Sequence, residues 1–565
     1  MDLHAFPLRY VPAGLDASNW DAVAPLFDEL DRRPLPDASA LERWLEDGSE
    51  LQCAIGEAGE RLYVAMTCRT DDAAVESQYL AYVTGLLPRV KPRVQALKTR
   101  YLAHPARPDL PADRFAQFDR HTANEAALFR EENVASEAKE AELAQRYQKC
   151  CGAMTVPFDG AERPLAYMSR IQEETDRARR EQAFVLVASR RLRDRETLDA
   201  LFDALVQVRT RIARCAGFRD YRDYAFRAKG RFDYTPADCD AFAAAVERCV
   251  VPRMRARQER RRRLLGLDRL RPWDLAVDPS GRPPLRPFET ADQLATGCSR
   301  IFRAVDPELG GLFEAIRARG YLDLEARKGK APGGYQTTFE VERMPFIFMN
   351  ASGTQGDVET LLHEGGHAFH ALHARHHALA FNRSAPLEFC EVASMSMELL
   401  GSAHLDVFLD PDGARRARAR HAEEMLSLFA WIATIDQFQH GVYTQPDQTR
   451  AEREALWLGL KRRFGGIEDW SGHPEALAAQ WHRQVHLFAH PFYYIEYAIA
   501  QIGALQVWRN ARRDPQRALA QYREALALGG TRALPELFAA AGARFAFDEQ
   551  TLAPLIDAVT AELEP

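Results

Sequence analysis

The sequence predicts a mainly α-helical protein with one small β section, on three observations. Apolar residues recur at helical spacing over most of the chain, strong helix formers fill those stretches, and a single segment reads as strand. In 425–435, Met425, Leu428, Phe429, Ile432 and Ile435 fall at i, i+3, i+4, i+7 and i+10, which is one helical face. Similar stripes rich in Ala, Leu, Arg and Glu fill 115–150, 165–230, 237–267 and 515–560. Breakers separate them: Pro105, Pro108 and Pro111, the stretch from Pro272 to Pro287, Asp410-Pro411-Asp412-Gly413, Gly465-Gly466 and Gly472-His473-Pro474. The exception is 333–350, GGYQTTFEVERMPFIFMN, where β-branched and aromatic residues between two Gly-containing segments predict a strand pair. No fixed-period repeat is present, which argues against a solenoid.

Composition narrows the function classes. With 565 residues, 46% apolar and 27% charged, the chain can bury a large core without disulfides. The net charge of −7 gives no electrostatic case for a nucleic-acid partner. The run Arg260–Arg263, with Arg253, Arg255 and Arg257 before it, lacks interleaved aromatics and reads as a solvated helix face. Charged and polar residues break the apolar runs well before about 20 positions, so no membrane span is expected. The N-terminal residues do not form a basic region followed by an apolar stretch, and no secretory signal is expected. Nine scattered cysteines without a CxxC read as reduced thiols, which suits the cytoplasm.

Residues 363–367 read His-Glu-Gly-Gly-His. On a helix, i and i+4 differ by about 40° in azimuth, so His363 and His367 point the same way one turn apart. Two imidazoles so placed can bind one Zn²⁺, with Glu364 in reach of its water. Thr354 and Asp357 form a capping box that opens this helix. Gly365 and Gly366 each cost about 1 kcal/mol against Ala, so the backbone there must lie close to a substrate or a packed helix. The metzincin pattern HExxHxxGxxH is not met, because His370 replaces its glycine. His373, at i+10, lies about 80° off the His363 face, and His370 at i+7 lies about 10 Å along the axis. His370 therefore reads as a residue behind the ligands or in the core. A carboxylate from another helix is the better third ligand. Glu388, Glu391 and Glu398 are available, and Glu391 and Glu398, two turns apart, could divide the work of ligating and of orienting a histidine.

HEGGHAFH followed by CEVASMSME resembles the zinc-site signature of the oligoendopeptidase F branch of the thimet-oligopeptidase family. The segment GKAPGGYQTTF…MPFIFMNASGTQGDVETLLHEGGHAFH is similar to the members called Pz-peptidases, as are LGLDRLRPWDL at 265–275 and GGTRALPELFAAAGARF at 529–545. The resemblance runs from about residue 150 to the end. It implies one Zn²⁺ per chain on His363, His367 and Glu391, Glu364 as catalytic base, and Glu398 and His370 behind the ligands. It implies a mainly helical, zincin-like fold enclosing a deep substrate channel, with a small sheet near the zinc helix. Residues 1–195 would form one channel wall and 196–565 the catalytic region.

A second constellation is His486-Leu-Phe-Ala-His490-Pro-Phe-Tyr493-Tyr494-Ile-Glu-Tyr497. By periodicity alone it is an aromatic core stripe. The resemblance instead implies that His486 and Tyr497 face the scissile carbonyl and that Tyr493 and Tyr494 line the cleft. The segment 333–350 would take the substrate as an added strand, with Gly333, Gly334 and Tyr335 among the contacts. No GxSxG elbow and no phosphate loop is present, and Cys390 reads as a packed thiol. The expected function is endopeptidase cleavage of short unstructured peptides. A carboxypeptidase or dipeptidyl carboxypeptidase on the same zinc, and a non-enzymatic helical peptide-binding protein, are the alternatives. Peptides are the expected partners, with neither nucleic acid nor membrane, as monomer or dimer.

Overall fold

Helices occupy about 70% of the chain in the computed structural model, beside two small sheets, and this is the class the periodicity predicts. The structure describes Leu3 and residues 6–563. None of the described helices is long and apolar enough to cross a membrane. The nine cysteines are all free thiols. The chain divides into two units, each drawn from three segments.

The first unit comprises Met1–Ala127, Arg286–Ala414 and Gly503–Phe545. Phe27, Leu30, Leu41, Trp44 and Leu51 anchor its N-terminal helices in one apolar cluster. Its sheet, with β3 (Leu322–Glu325), β4 (Tyr335–Phe339) and β5 (Met344–Ala351), has the order β3-β5-β4. The anticipated strand pair is β4 and β5, antiparallel, with Tyr335 opposite Phe348 and Phe339 opposite Met344. β3 joins in parallel. Its four residues, LDLE, are too short for a periodicity signal. β5 is central and buried through Met349, whereas β4 is an edge strand.

The motif helix Gln355–Ala374 follows β5 and packs on the helix Leu387–Gly401. The Thr354 hydroxyl accepts from the Asp357 amide at 3.3 Å, and the Asp357 carboxylate accepts from the Thr354 amide at 2.8 Å. This is the capping box the sequence predicts. The two glycines have different reasons. A Cβ on Gly365 would stand 2.4 Å from the ring of Phe302, whereas one on Gly366 would stand 2.6 Å from Ser394 Cα and 2.7 Å from Ala393 O. A ring can turn aside, but backbone cannot. Gly366→Ala should therefore push the two helices apart and cost about 1–3 kcal/mol. Metal affinity should weaken together with thermal stability, because these helices carry His363, His367 and Glu391, the ligands the family resemblance implies. A Gly366→Ala variant with unchanged metal affinity would show that the helix separation is not what sets the site.

The second unit comprises Leu128–Leu285, Arg415–Ile502 and Ala546–Pro565. Its hairpin of β1 (Thr155–Phe158) and β2 (Ala161–Pro164) turns on Asp159 and Gly160, both at positive φ of 50° and 73°. An Asp-Gly pair between two short runs is a strong hairpin signal. The arginine run is a solvated face only in part: Arg260 and Arg263 are exposed, but two others are tied into the unit. Arg257 and Arg261 both bind the Glu423 carboxylate, and Arg261 also donates to Val277 O. Helix periodicity cannot reveal a partner more than 150 positions away.

Asp274, in the LGLDRLRPWDL segment, has a fully buried side chain that pairs with Arg177 at 2.9 Å and Arg180 at 3.0 Å. Burial alone would raise its carboxyl, but Arg177, the Arg271 amide and Arg180 hold it below the usual carboxylate value. Asp274→Ala strands the buried Arg180 charge and should cost about 3–5 kcal/mol at pH 7. The contribution of a carboxyl with a depressed folded value is full above the unfolded value of about 4 and is lost as the pH falls below it. The gap in thermal unfolding between wild type and variant should therefore narrow in acid.

Candidate active site

Three donor atoms from two helices meet in the first unit. His363, His367 and Glu391 each offer one ligand atom, all within 4.8 Å of one another, a group that could hold a metal ion. Glu391 Oε2 lies 3.4 Å from His363 Nε2 and 3.7 Å from His367 Nε2. Both rings are engaged behind the cluster. His363 Nδ1 donates to Glu398 Oε1 at 2.6 Å, and the Cys390 backbone lies against the His367 ring. Ser394 Oγ steadies Glu391 at 3.0 Å. Both Nε2 atoms thus face Glu391 Oε2 from the same side of the motif helix. Glu391 is buried while the two imidazoles are half-buried, so the cluster opens on the histidine side.

The charges follow from this packing. Burial would lower His363, but Glu391 and Glu398 on its two sides hold it well above the usual histidine value. Burial takes His367 down to about 4. Burial pushes the Glu364 carboxyl up to about 7, against the pull of His363 and of the Gln336 amide on β4. His370 is buried against Phe389 and His373 is buried as well. Neither joins the donor group among the described residues. Gly333 and Gly334 are exposed at the start of β4, and Gly333 needs its φ of 99°. The Tyr335 ring stacks on Phe348 with centroids 4.8 Å apart, and its hydroxyl bonds Thr67 Oγ1 at 2.7 Å.

The second constellation assembles in the second unit. His486 lies among Tyr493, Tyr494 and Tyr497, with ring centroids 5.3, 4.9 and 5.9 Å away, all four half-buried. Trp431 Nε1, which can only donate, bonds Gln484 Oε1 at 2.8 Å. The Gln484 amide nitrogen therefore faces His486 Nδ1, 2.7 Å away, and donates to it. That places the ring proton on Nε2. Burial lowers His486 to about 4, so the ring is neutral near pH 7 with Nε2–H as a donor.

Two buried arginines hold the backbone of this segment, and the sequence reading named neither. Arg209 donates to Leu487 O at 3.0 Å and Phe488 O at 2.5 Å. Arg231 donates to Phe492 O and pairs with Glu496 at 2.7 Å, while Gln439 Oε1 accepts from Phe492 N at 2.6 Å. These bonds fix Phe492 at a φ of 60°, a strained position for a non-glycine residue next to Tyr493.

Residues 170–555 match the sequence profile of peptidase family M3. The chain is 26% identical over 296 residues to the "Oligoendopeptidase F homolog" of Mycoplasma pneumoniae (strain ATCC 29342 / M129 / Subtype 1), covering 48% of this chain and 46% of that protein. It is 23% identical over 232 residues to "Oligopeptidase PepF" of Bacillus subtilis (strain 168), covering 40% and 34%. It thus spans about half, or less, of the length of these curated relatives. Solved as "PZ PEPTIDASE A with inhibitor 2", one similar structure has a TM-score of 0.89 at 27% identity, covering 100% of this chain and 99% of that one. A structure of an oligoendopeptidase F type has a TM-score of 0.88 at 29% identity, covering 99% of both chains.

Proposed function

The chain belongs to peptidase family M3, and from that premise we propose that it is a zinc-dependent oligoendopeptidase acting on short unstructured peptides. The observation that carries this is the donor group of two imidazoles and one carboxylate with an open side. In a tetrahedral zinc site with bonds of about 2.0–2.2 Å, neighbouring ligand atoms lie about 3.3–3.6 Å apart. The separation of 3.4 Å falls in that range and that of 3.7 Å lies about 0.1 Å above it.

His363, His367 and Glu391 would hold one zinc, with Glu398 and the Cys390 backbone fixing the two imidazoles. Zinc held there supplies a Lewis acid for the scissile carbonyl and acidifies a water. Glu364 takes the proton of the attacking water and returns it to the leaving amine. His486 and Tyr497 donate to the carbonyl oxygen as it gains charge. Tyr493 and Tyr494 line the cleft, and His370 packs behind the ligands. An extended peptide lies along the edge strand β4 beside Gly333, Gly334 and Tyr335. The Gln336 amide on that strand reaches Glu364, which supports bringing substrate backbone to the base.

A quenched peptide of about ten residues, blocked at both ends, tests the reading. An endopeptidase cuts it, whereas an enzyme that grips a free terminus does not. We expect cleavage that stops on chelation, no digestion of folded proteins, and little digestion of a long unfolded chain. Rapid degradation of the long chain would contradict the enclosed channel. Failure to cut the doubly blocked peptide would favour the carboxypeptidase chemistry.

A further inference from the structure

A second donor group lies in the other unit, and the peptidase reading makes no use of it. Cys239, Asp436 and His440 are all buried, with one ligand atom from each within 4.8 Å of the others. Asp436 and His440 are one turn apart on the helix Pro411–Thr444, so both point to one side of it. Cys239 comes from the first turn of the helix Pro236–Ala245, which Thr235 and Asp238 cap.

The polar groups here lack ordinary partners. His440 Nε2 and Asp436 Oδ2 approach to 3.3 Å. Beyond that approach, neither Asp436 oxygen and neither His440 nitrogen has a hydrogen-bond partner among the described residues. The Asp436 side chain is 1% exposed and that of His440 8%. Arg231, the cation in electrostatic reach of Cys239, binds the Glu496 carboxylate at 2.7 Å and the Phe492 carbonyl. The rings of Phe226 and Phe492 stand edge-on to His440 and exclude water from that side. A carboxylate this deeply buried is expensive unless a cation satisfies it.

We propose that Cys239, Asp436 and His440 form a second, structural metal site for a divalent cation of borderline softness, of the zinc class. Sulfur, imidazole and carboxylate together select such an ion over Mg²⁺ or Ca²⁺. Three protein ligands leave one tetrahedral position for a water or the second Asp436 oxygen. The site does not read as a nucleophile with a base, because the fully buried thiol is closed to any substrate. Binding there would tie the helix Pro236–Ala245 to the helix Pro411–Thr444.

The test uses full-length protein produced in cobalt-supplemented medium. Elemental analysis should find two equivalents of cobalt per chain. A thiolate-to-cobalt charge-transfer band should appear in the near ultraviolet. His363, His367 and Glu391 contain no sulfur and cannot produce that band. Cys239→Ala should lose one equivalent and the band, and Asp436→Asn should lose one equivalent. Glu391→Ala should also lose one equivalent but keep the band, so failure of the peptidase site and failure of this one are distinguishable. A single equivalent in the wild type that Glu391→Ala removes would overturn the proposal. A charge-transfer band that survives Cys239→Ala would do the same, since it would come from another thiol such as the exposed Cys215. Circular dichroism of Cys239→Ala separates loss of the ion from loss of the fold.

Discussion

Glu364→Gln is expected to lower kcat by about 10²–10⁴-fold while the chain keeps its catalytic metal. Glu364 sits between the two histidines on the motif helix, in the same turn, and is 8% exposed. Glutamine keeps the volume and an oxygen acceptor but cannot take the proton of the attacking water. Glu391→Ala should behave differently. It removes the one carboxylate that lies near both Nε2 atoms, so metal and turnover fall together. Metal analysis at low free metal, alongside turnover of the blocked peptide, separates the two roles. A Gln variant with wild-type turnover would remove Glu364 from the proton transfer. A Glu391→Ala chain that keeps its full equivalent on the remaining histidines would make the third ligand another group.

How much of this was legible in sequence depends on how far apart the cooperating residues lie. His363 and His367 need only helical spacing, and the Thr354–Asp357 box needs three residues, so both are local and readable. Spacing left Glu388, Glu391 and Glu398 open as the third ligand, and only the family resemblance singled out Glu391. Gly366 was legible as a demand for close approach, but the approaching backbone at Ser394 was not. Arg209, Arg231 and Asp274 were invisible for a different reason. An arginine bound to backbone carbonyls 260 to 280 positions away carries no local signature. In the helix stripes, Arg209 looks like any surface charge, although its side chain is fully buried. Gln484 and Trp431 were missed likewise, because 53 positions separate the indole from the amide it orients. The Asp159-Gly160 turn and the Thr449–Glu452 capping box are features whose signal was present and unused.

Tyr497→Phe should lower kcat by about 10²–10³-fold with KM nearly unchanged, the effect of losing one oxyanion donor. The ring remains, so its packing against His486, Tyr493 and Tyr494 remains, and the melting temperature should hold. Unchanged turnover would leave Tyr497 as a packing residue, and a raised KM at normal kcat would make it a ground-state contact. His486 can be tested through the residue that sets its proton. Gln484→Glu is isosteric and can still accept from Trp431, but its second oxygen now faces Nδ1 as an acceptor. The ring must then carry a proton on Nδ1. Below a raised His486 value the ring is an imidazolium that still has Nε2–H, so turnover persists. Above that value the neutral ring keeps its proton on Nδ1, and Nε2 becomes an acceptor that repels the oxyanion. In the variant, kcat should therefore fall as the pH rises through the new His486 value. The wild-type ring, lowered to about 4, stays neutral with its donor in place across that range. A variant with the wild-type pH profile of kcat would show that the His486 proton takes no part in the transition state.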